Sequence, residues 1–475
     1  MLSCRHATRY LTHLRPGTLH RPTCRHFYFN AELLEDLQSR GLISDITRPD
    51  QLKLELNKDR QVAYAGVDPT AKYLHVGHLL PLFCLLHFQL RGHQIIPLIG
   101  GATGLIGDPS GRSTERPLSE QSIVEGNVEA LNAGIQQFFS RAMEYAKGRL
   151  QPSDTPITEP VVRNNLHWLK GLGLLEFLRT VGIHARVNTM MARDSVRTRL
   201  ETQQGISFTE FTYQLLQSYD FLTLYRTANC NIQIGGSDQW GNIVAGIDLI
   251  NRVNALSSGE KSEKGFGIVT PLLTTASGEK FGKSAGNAVS LDESVTNVFD
   301  FYQFFLRTAD ADVGRYMKMF TLLPLSEIDA ALEKHVQTPE KRHAQRLLAA
   351  EVTELVHCKI GVRRARTATS VLYDNDIASV KADELIDAVR GLPLFHTCTA
   401  DDLFGVPVAK LAVRFHVASS NSAARQLISA KGLYANNQLV TEPQHKLVPS
   451  DLIEGRVAII RAGKQKNAVV SLQGP

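Results

Sequence analysis

Two histidines three residues apart, His75 and His78, close the stretch Tyr64-Ala-Gly-Val-Asp-Pro-Thr-Ala-Lys-Tyr-Leu-His-Val-Gly-His78. Gln61 to Val67 reads as a short buried strand, and Asp68-Pro69-Thr70 breaks it. Gly77 to Leu86 then resumes as an apolar helix through Leu79, Leu80, Phe83 and Leu86. A strand–loop–helix junction of this kind is where α/β sheets bind nucleotides. Histidines three apart at a helix start lie one above the other, beside backbone N–H groups that have no intrahelical acceptor. Such a corner suits a phosphate. A zinc pair and two solvated histidines are the competing readings. No HExxH pattern or Cys/His cluster accompanies the pair, which weakens the metal reading.

Further polar groups recur at the ends of apolar runs. His93 to Ile99 is a predicted strand that runs into the glycine-rich segment Gly100 to Gly111, where backbone can approach a ligand closely. Ser207 to Phe221 has a helical pattern that puts Tyr213, Gln217 and Asp220 on one face. That polar stripe is either a solvated face or the wall of a polar pocket, and the density of aromatic and amide side chains favours the pocket. Ile232 to Ile234 leads into a second close-approach turn, Gly235 to Asn242. A strand over Ile268 to Leu273 precedes Ala276-Ser-Gly-Glu-Lys-Phe-Gly-Lys-Ser284, which misses the first glycine of a Walker P-loop. As residue chemistry alone, this last segment could be a solvated lysine turn.

His75-Val76-Gly77-His78 resembles the HIGH signature of class I aminoacyl-tRNA synthetases, with Val for Ile. The glycine-rich segment matches the synthetase block GGATGLIGDPSG, and Lys280-Phe-Gly-Lys-Ser284 resembles the mobile KMSKS loop in its KFGKS form. From about Ala31 to the C-terminus the chain is similar to bacterial and mitochondrial tyrosyl-tRNA synthetases. The resemblance implies an α/β fold: a Rossmann-like parallel-sheet catalytic domain with inserted helices, an α-helical domain, and a small α+β S4-like domain. It also implies the reaction, in which tyrosine and ATP give tyrosyl-adenylate and the tyrosyl group then passes to tRNA.

That reaction needs no protein nucleophile, because the carboxylate of tyrosine attacks the α-phosphate itself. The protein's task is positioning and stabilisation of phosphate charge. By resemblance, His75, His78, Thr70, Lys280 and Lys283 carry the catalytic step. Asp68, Gly77, Gly236, Phe281, Gly282 and Ser284 join the histidines and lysines around ATP. Tyr64 and Asp220 match the pair that hydrogen-bonds the substrate phenol. Asp108, Tyr213 and Gln217 match the surroundings of the amino group, and Gln239 a further tyrosine-pocket position. Mg²⁺ is expected with ATP, without a dedicated protein site. The rival readings are a synthetase-fold RNA-binding protein acting as an intron-splicing cofactor, alone or as a second role, and an adenylating enzyme without a tRNA partner. The retained histidines and lysines weigh against the first as a sole role, and the basic C-terminus weighs against the second.

The 475 residues exceed one ordinary core. The expected divisions are 1–30 presequence, 31–297 catalytic, 298–395 helical and 405–475 S4-like. The formal charge of +5 sits in the leader, where Arg5, Arg9, Arg15, Arg21 and Arg25 precede the first acid, Glu32, leaving 47 basic against 47 acidic residues beyond. An Arg-rich, acid-free N-terminus reads as a mitochondrial presequence and implies the matrix; a basic RNA-binding arm is the alternative. Cys84, Cys230, Cys358 and Cys398 are scattered, with no CxxC pair, which argues against a disulfide framework or structural zinc. The richest apolar run, His78 to Phe88, is far too short to span a bilayer. Gly173 to Gly182 carries more apolar surface than one helix face needs, so core and dimer interface are both open; by resemblance it lies near the homodimer interface. In the helical region Ser326 with Asp329 resembles a capping box. Residues 405–475 hold nine basic groups against three acids, which reads as an RNA-binding footprint for tRNA, with Arg425, Lys431, Arg461, Lys464 and Lys466 as the expected contacts; a merely basic surface is the alternative.

Overall fold

The computed structural model describes residues 32–110, 114, 119–151, 156–201, 205–258, 263–278, 281, 283–284, 287–374, 380–463 and 466–473. The leader, Lys280, Gly282 and Lys464 lie outside the described residues, as do the side chains of Lys283 and Ser284.

Alternation within the strands divides the catalytic core between two layers. β1 is Asp45–Ile46, β2 Val62–Val67, β3 Gln94–Ile99, β4 Arg163–Asn164, β5 Ile232–Gly236 and β6 Phe266–Thr270. Along β2, Ala63, Ala65 and Val67 enter one core while Tyr64 enters the other; in β3, Ile95 and Ile99 oppose Ile96 and Leu98 in the same way. Successive side chains of a strand point to opposite faces, so a strand buried on both faces must be apolar almost throughout. The helices Leu79–Leu90 and Gln121–Lys147 contribute to the first layer, Phe208–Ala228 and Trp240–Ser258 to the second.

The sheet order is β1-β6-β5-β2-β3-β4, parallel except for the edge strand β1. The chain runs outward from β2 through β3 to β4, then crosses back to place β5 and β6 on the other side of β2. The order therefore reverses between β2 and β5, and open α/β sheets bind ligands in the crevice at such a point. β4 lies between the helices Gln121–Lys147 and Leu166–Leu169. At two residues it is too short to leave a period-2 pattern, yet it positions the residues that follow it.

The helical region does not have a core of its own. One continuous apolar cluster runs from Leu33 through the first layer of the sheet to Ala365 in the helix His343–Thr369. Polar contacts reinforce the seam: Arg149 donates to both Glu351 and Glu354 at 2.6–2.9 Å, and the Tyr145 hydroxyl donates to Glu351 at 2.8 Å. The capping box at Ser326 is not formed, because the helix Leu325–Gln337 starts two residues earlier than that box requires, after Pro324, and has no side-chain cap.

The small C-terminal sheet begins upstream of Gly405. Strand β9, Phe395–Cys398, pairs in parallel with β13, Lys466–Leu472, in a sheet of order β11-β10-β12-β13-β9. Here β10 is Leu433–Ala435, β11 Gln438–Leu439 and β12 Val457–Ala462. The helix Ala382–Val389 packs with Val457, Ile459 and Val469 of this sheet, and with Phe299, Ala368, Val371 and Leu372 of the helical region. Asn436 and Asn437, both at positive φ, make the tight β10–β11 turn. Between the two sheets' sequences, β7 (Lys283–Ser284) and β8 (Asn287–Ala288) form a separate antiparallel hairpin.

Candidate active site

The crevice between the ends of β2 and β5 opens into a cleft of about 380 Å³. Its lining brings together Tyr64, Asp68, Thr70, His75, Gly77, His78, Asp108, Tyr213, Gln217, Asp220, Gly236, Gln239 and Phe281. These thirteen residues come from five separate stretches of chain, and all were expected from sequence to belong to one site.

The deep end is a network of buried acceptors and amides. Asp220, on the helix Phe208–Ala228, accepts from Trp168 Nε1 at 2.7 Å and from Asn165 Nδ2 at 2.9 Å. Burial pushes its carboxyl up to about 7, against the lowering effect of the Asn165 and Trp168 hydrogen bonds and with a further rise from the Asp68 charge. Tyr64 is 1% exposed, and its hydroxyl has no hydrogen-bond partner among the described residues. Burial, and then the Asp220 carboxylate, hold this phenol well above its ordinary pKa, so it is a neutral O–H. A buried hydroxyl without a partner costs about 1–3 kcal/mol. Here it lines the cleft beside an acceptor, which is how a site receives a ligand that carries its own hydroxyl.

One layer out, Asp68 accepts from Thr103 Oγ1 at 2.9 Å and from the Tyr213 hydroxyl at 2.8 Å. Asp108 accepts from Gln239 Nε2 at 2.6 Å and from the Ser110 backbone N–H at 2.9 Å. Gln217 donates to Gln239 Oε1 at 3.2 Å, and Asn242 donates to the side-chain oxygens of both at 3.1 Å. The i, i+4, i+7 stripe of Tyr213, Gln217 and Asp220 is thus the wall of a polar pocket. Two glycines are set by this packing. A Cβ on Gly100 would lie 2.1 Å from Asp68 Oδ1 and 2.3 Å from Thr103 Oγ1. Gly107, at φ 88°, turns the chain into Asp108.

At the mouth, His75 caps a short 3₁₀ turn over Val76–His78. The Nδ1 of His75 accepts from the Gly77 N–H at 3.0 Å, and the Nδ1 of His78 accepts from the His75 N–H at 3.1 Å. With both Nδ1 atoms accepting, the proton of each neutral ring sits on Nε2, so each presents a donor. The rings lie 3.9 Å apart, and a Cβ on Gly77 would come within 2.8 Å of His75. The pair is therefore a fixed, paired donor corner. Among the described residues no group of three His, Cys, Asp or Glu side chains could hold a metal ion.

Phe281 borders the cleft and also packs into the helical region. Its edge reaches the cleft, but its ring is buried among Tyr316 at 4.4 Å, Phe304 at 5.0 Å and Phe320 at 6.0 Å. It ties the lysine loop to the helical region, and its N–H donates to the Leu273 carbonyl at 2.9 Å. Thr103, Asn165, Trp168, Gln233, Asp238 and Asn242 enter the cleft or its supporting network without having been singled out from sequence. For Asn165 and Trp168 the signal available was a polar and aromatic cluster, Asn164 to Trp168, directly after the apolar Val161-Val162.

The C-terminal unit changes the charge argument. Counted from its structural start at Ala382, it holds ten basic against eight acidic residues. Arg414 pairs with Asp402 and Arg456 with Asp383, each at 2.7 Å, so upstream acids neutralise two members of the basic set. What remains is local. Arg461 stacks over Tyr434 at 4.8 Å, and the β12–β13 turn hydrogen-bonds through Gly463 N–H to Gly432, beside exposed Lys431. Lys466 opens β13 and Arg425 lies exposed on the helix Asn421–Ser429.

Residues 56–374 match the family described as tRNA synthetases class I (W and Y), and residues 384–470 match the tyrosine–tRNA ligase SYY-like C-terminal domain. The mitochondrial tyrosine–tRNA ligase of Saccharomyces cerevisiae is 42% identical over 448 residues, which is 93% of this chain and 89% of the relative. The tyrosine–tRNA ligase of Bacillus velezensis is 43% identical over 92% of this chain and 99% of its own. The crystal structure of a C-terminally truncated Aspergillus nidulans mitochondrial tyrosyl-tRNA synthetase superimposes with a TM-score of 0.66 at 36% identity, covering 72% of this chain and 94% of that one. The paired histidine corner, the polar pocket behind it and these likenesses lead to one statement: this chain belongs to the class I tyrosyl-tRNA synthetase family.

Proposed function

We propose that the protein is a tyrosine–tRNA ligase of mitochondrial translation. It activates L-tyrosine with ATP to tyrosyl-adenylate and pyrophosphate, then transfers the tyrosyl group to the 3′ end of tRNA(Tyr). The observation that carries this reading is the unpartnered Tyr64 hydroxyl beside Asp220 at the deep end of a cleft whose mouth holds His75 and His78.

In this reading the substrate phenol donates to Asp220 and accepts from Tyr64, which relieves the orphaned hydroxyl. A phenylalanine ring would leave the Tyr64 hydroxyl without a partner and give the buried Asp220 carboxylate no donor beyond Trp168 and Asn165. The substrate ammonium has Asp108, Tyr213 and Gln217 within the same network. Held there, its carboxylate attacks the α-phosphate, breaking the bond to the bridging oxygen, and pyrophosphate leaves with that electron pair. His75 and His78 donate from Nε2 to phosphate oxygens as their charge grows, with Thr70 at the same rim. Lys280 and Lys283 close over the leaving pyrophosphate and open for its release. Asp68, Gly77 and Gly236 border the nucleotide, with Gly282 and Ser284 on the closing loop. Mg²⁺ travels with ATP and screens phosphate charge.

The mitochondrial assignment rests on the Arg-rich leader and on the mitochondrial relatives; the matrix is the implied destination. The proposed assembly is a homodimer. Leu174, Leu175 and Leu178 are 71%, 76% and 48% exposed, and Ile183, Val187 and Met191 are exposed nearby; an apolar surface of this kind calls for a partner. The tRNA contacts proposed for the C-terminal unit are Arg425, Lys431, Arg461, Lys464 and Lys466. ATP–pyrophosphate exchange measured across the amino acids tests the function. Exchange with tyrosine alone is expected, and exchange with another amino acid or with none would overturn the reading.

A further inference from the structure

Behind the histidine corner, away from the cleft, lies a second cavity of about 290 Å³. Its floor is one face of the helix Gln121–Lys147, where Ala130, Ala133 and Gly134 leave room, flanked by Phe138 and Arg141. A Cβ on Gly134 would meet only Leu74 Cδ1, at 4.0 Å. The roof is Lys72–Leu74 together with Leu291 and Asp292, and Val356 closes one end.

Two cations, Lys72 and Arg141, line this space against a single carboxylate, Asp292, which leaves one positive charge in excess. Neither Lys72 nor Arg141 forms an ion pair among the described residues. Arg141 spends one N–H on the Val356 carbonyl, at 2.7 Å. That carbonyl lies beside Cys358, whose φ of 62° breaks the helix His343–Thr369. The acid on the rim, Asp292, has Oδ1 occupied by the Ser294 N–H and hydroxyl at 2.9 and 2.7 Å. The walls between are apolar: Leu74, Phe138, Leu291 and Val356.

The roof is also the joint between the two signature segments. The Val76 N–H donates to Val289 and the Leu291 N–H donates to Leu74, both at 2.9 Å, and Ser290 Oγ donates to the Leu74 carbonyl at 3.3 Å. This short antiparallel ladder has the His75–His78 corner at one end and the β7–β8 hairpin, which carries Lys283, immediately before its other strand.

We propose that this cavity is a regulatory site for a small organic monoanion with an apolar body, held by Lys72 and Arg141. Its occupant clamps the roof onto the helix Gln121–Lys147 and stiffens the ladder that joins the histidine corner to the lysine hairpin. A ligand shifts an equilibrium only by binding one state better than another. The state favoured here is the one in which the hairpin cannot move freely, so occupancy slows ATP-dependent activation and leaves tyrosine binding alone.

The test uses 2-naphthoate as the anion and 2-naphthalenemethanol as its neutral counterpart, on the full chain, with binding read by equilibrium dialysis. Naphthoate is expected to bind at least tenfold tighter than the alcohol, with affinity unchanged by saturating tyrosine. Arg141→Gln should lower that affinity about tenfold, and Gly134→Leu, which fills the cavity from a helix interior, should abolish it. Naphthoate should lower the exchange rate severalfold in the parent and not in Gly134→Leu, with the KM for tyrosine constant. No binding, displacement by tyrosine, or equal binding by Gly134→Leu overturns the site. Binding with unaltered exchange overturns the coupling. The exchange readout rests on the synthetase reading, whereas dialysis does not, so the failure of one is distinguishable from the failure of the other.

Discussion

Replacing Asp220 by asparagine separates what this residue costs the fold from what it does for the substrate. Burial raises its carboxyl from an ordinary 3.8 to about 7. In an acid whose folded pKa is raised, the native state binds more protons than the unfolded chain between those values. Stability therefore falls as pH rises from about 4 to 7, and the full cost is present above 7. At 1.36 kcal/mol per pH unit that cost is roughly 4 kcal/mol. Asparagine removes it but turns an N–H₂ toward either Trp168 Nε1 or Asn165 Nδ2, which now face it as donors, at about 1–3 kcal/mol. The variant should thus be less stable than the parent at pH 4 and more stable at pH 8, a reversal readable in thermal melts across that range. Function moves the other way. A hydrogen bond to a charged acceptor is worth about 1.5–3 kcal/mol, so at pH 8 tyrosine-over-phenylalanine selectivity in exchange should drop about ten- to a hundredfold. Parallel stability curves for parent and variant, or selectivity untouched, would refute the account of Asp220 as a buried, ionised phenol acceptor.

Other perturbations follow from the same contacts. Asn165→Ala removes a donor to Asp220 and leaves the Ala102 N–H without its acceptor; KM for tyrosine should rise about tenfold with the ATP KM little changed, as steady-state exchange would reveal. Gly100→Ala forces a methyl against Asp68 and Thr103 and should cost about 1–3 kcal/mol by denaturant titration, with a fall in kcat/KM. Arg149→Met strands Glu351 and Glu354 at 8% and 13% exposure, so melting should show about 3 kcal/mol lost in a single transition, because catalytic and helical regions share a core. Cutting after residue 381, rather than near Gly405 where β9 would be left without β13, should preserve exchange. It should also weaken tRNA binding and flatten its salt dependence; an unchanged slope would remove the C-terminal face from RNA contact.

What the sequence determined by itself was local. His75, His78 and the loop around Asp68 to Thr70 suit a phosphate because strand, turn and helix follow one another without interruption, with a zinc pair and solvated histidines as the competing readings. Helical spacing puts Tyr213, Gln217 and Asp220 on one face, and the choice between a solvated face and a pocket wall was settled by their place in the cleft. The family blocks added which substrate such a wall would meet. Tertiary structure decided matters that depend on partners distant in the chain. Asn165 and Trp168 reach Asp220 only because a two-residue strand joins the sheet beside β3, and two residues are too few to show a period. The packing of the Phe281 ring on Tyr316 and Phe320 was not legible in its loop, because those partners lie far along the chain. The charge of the last segment shrinks once Asp383 and Asp402 fold against Arg456 and Arg414, since a count along the chain assigns acids to the wrong neighbours. Leu174, Leu175 and Leu178 had the same ambiguity: apolar residues on a helix mean core or surface alike, and only the packed chain leaves them exposed.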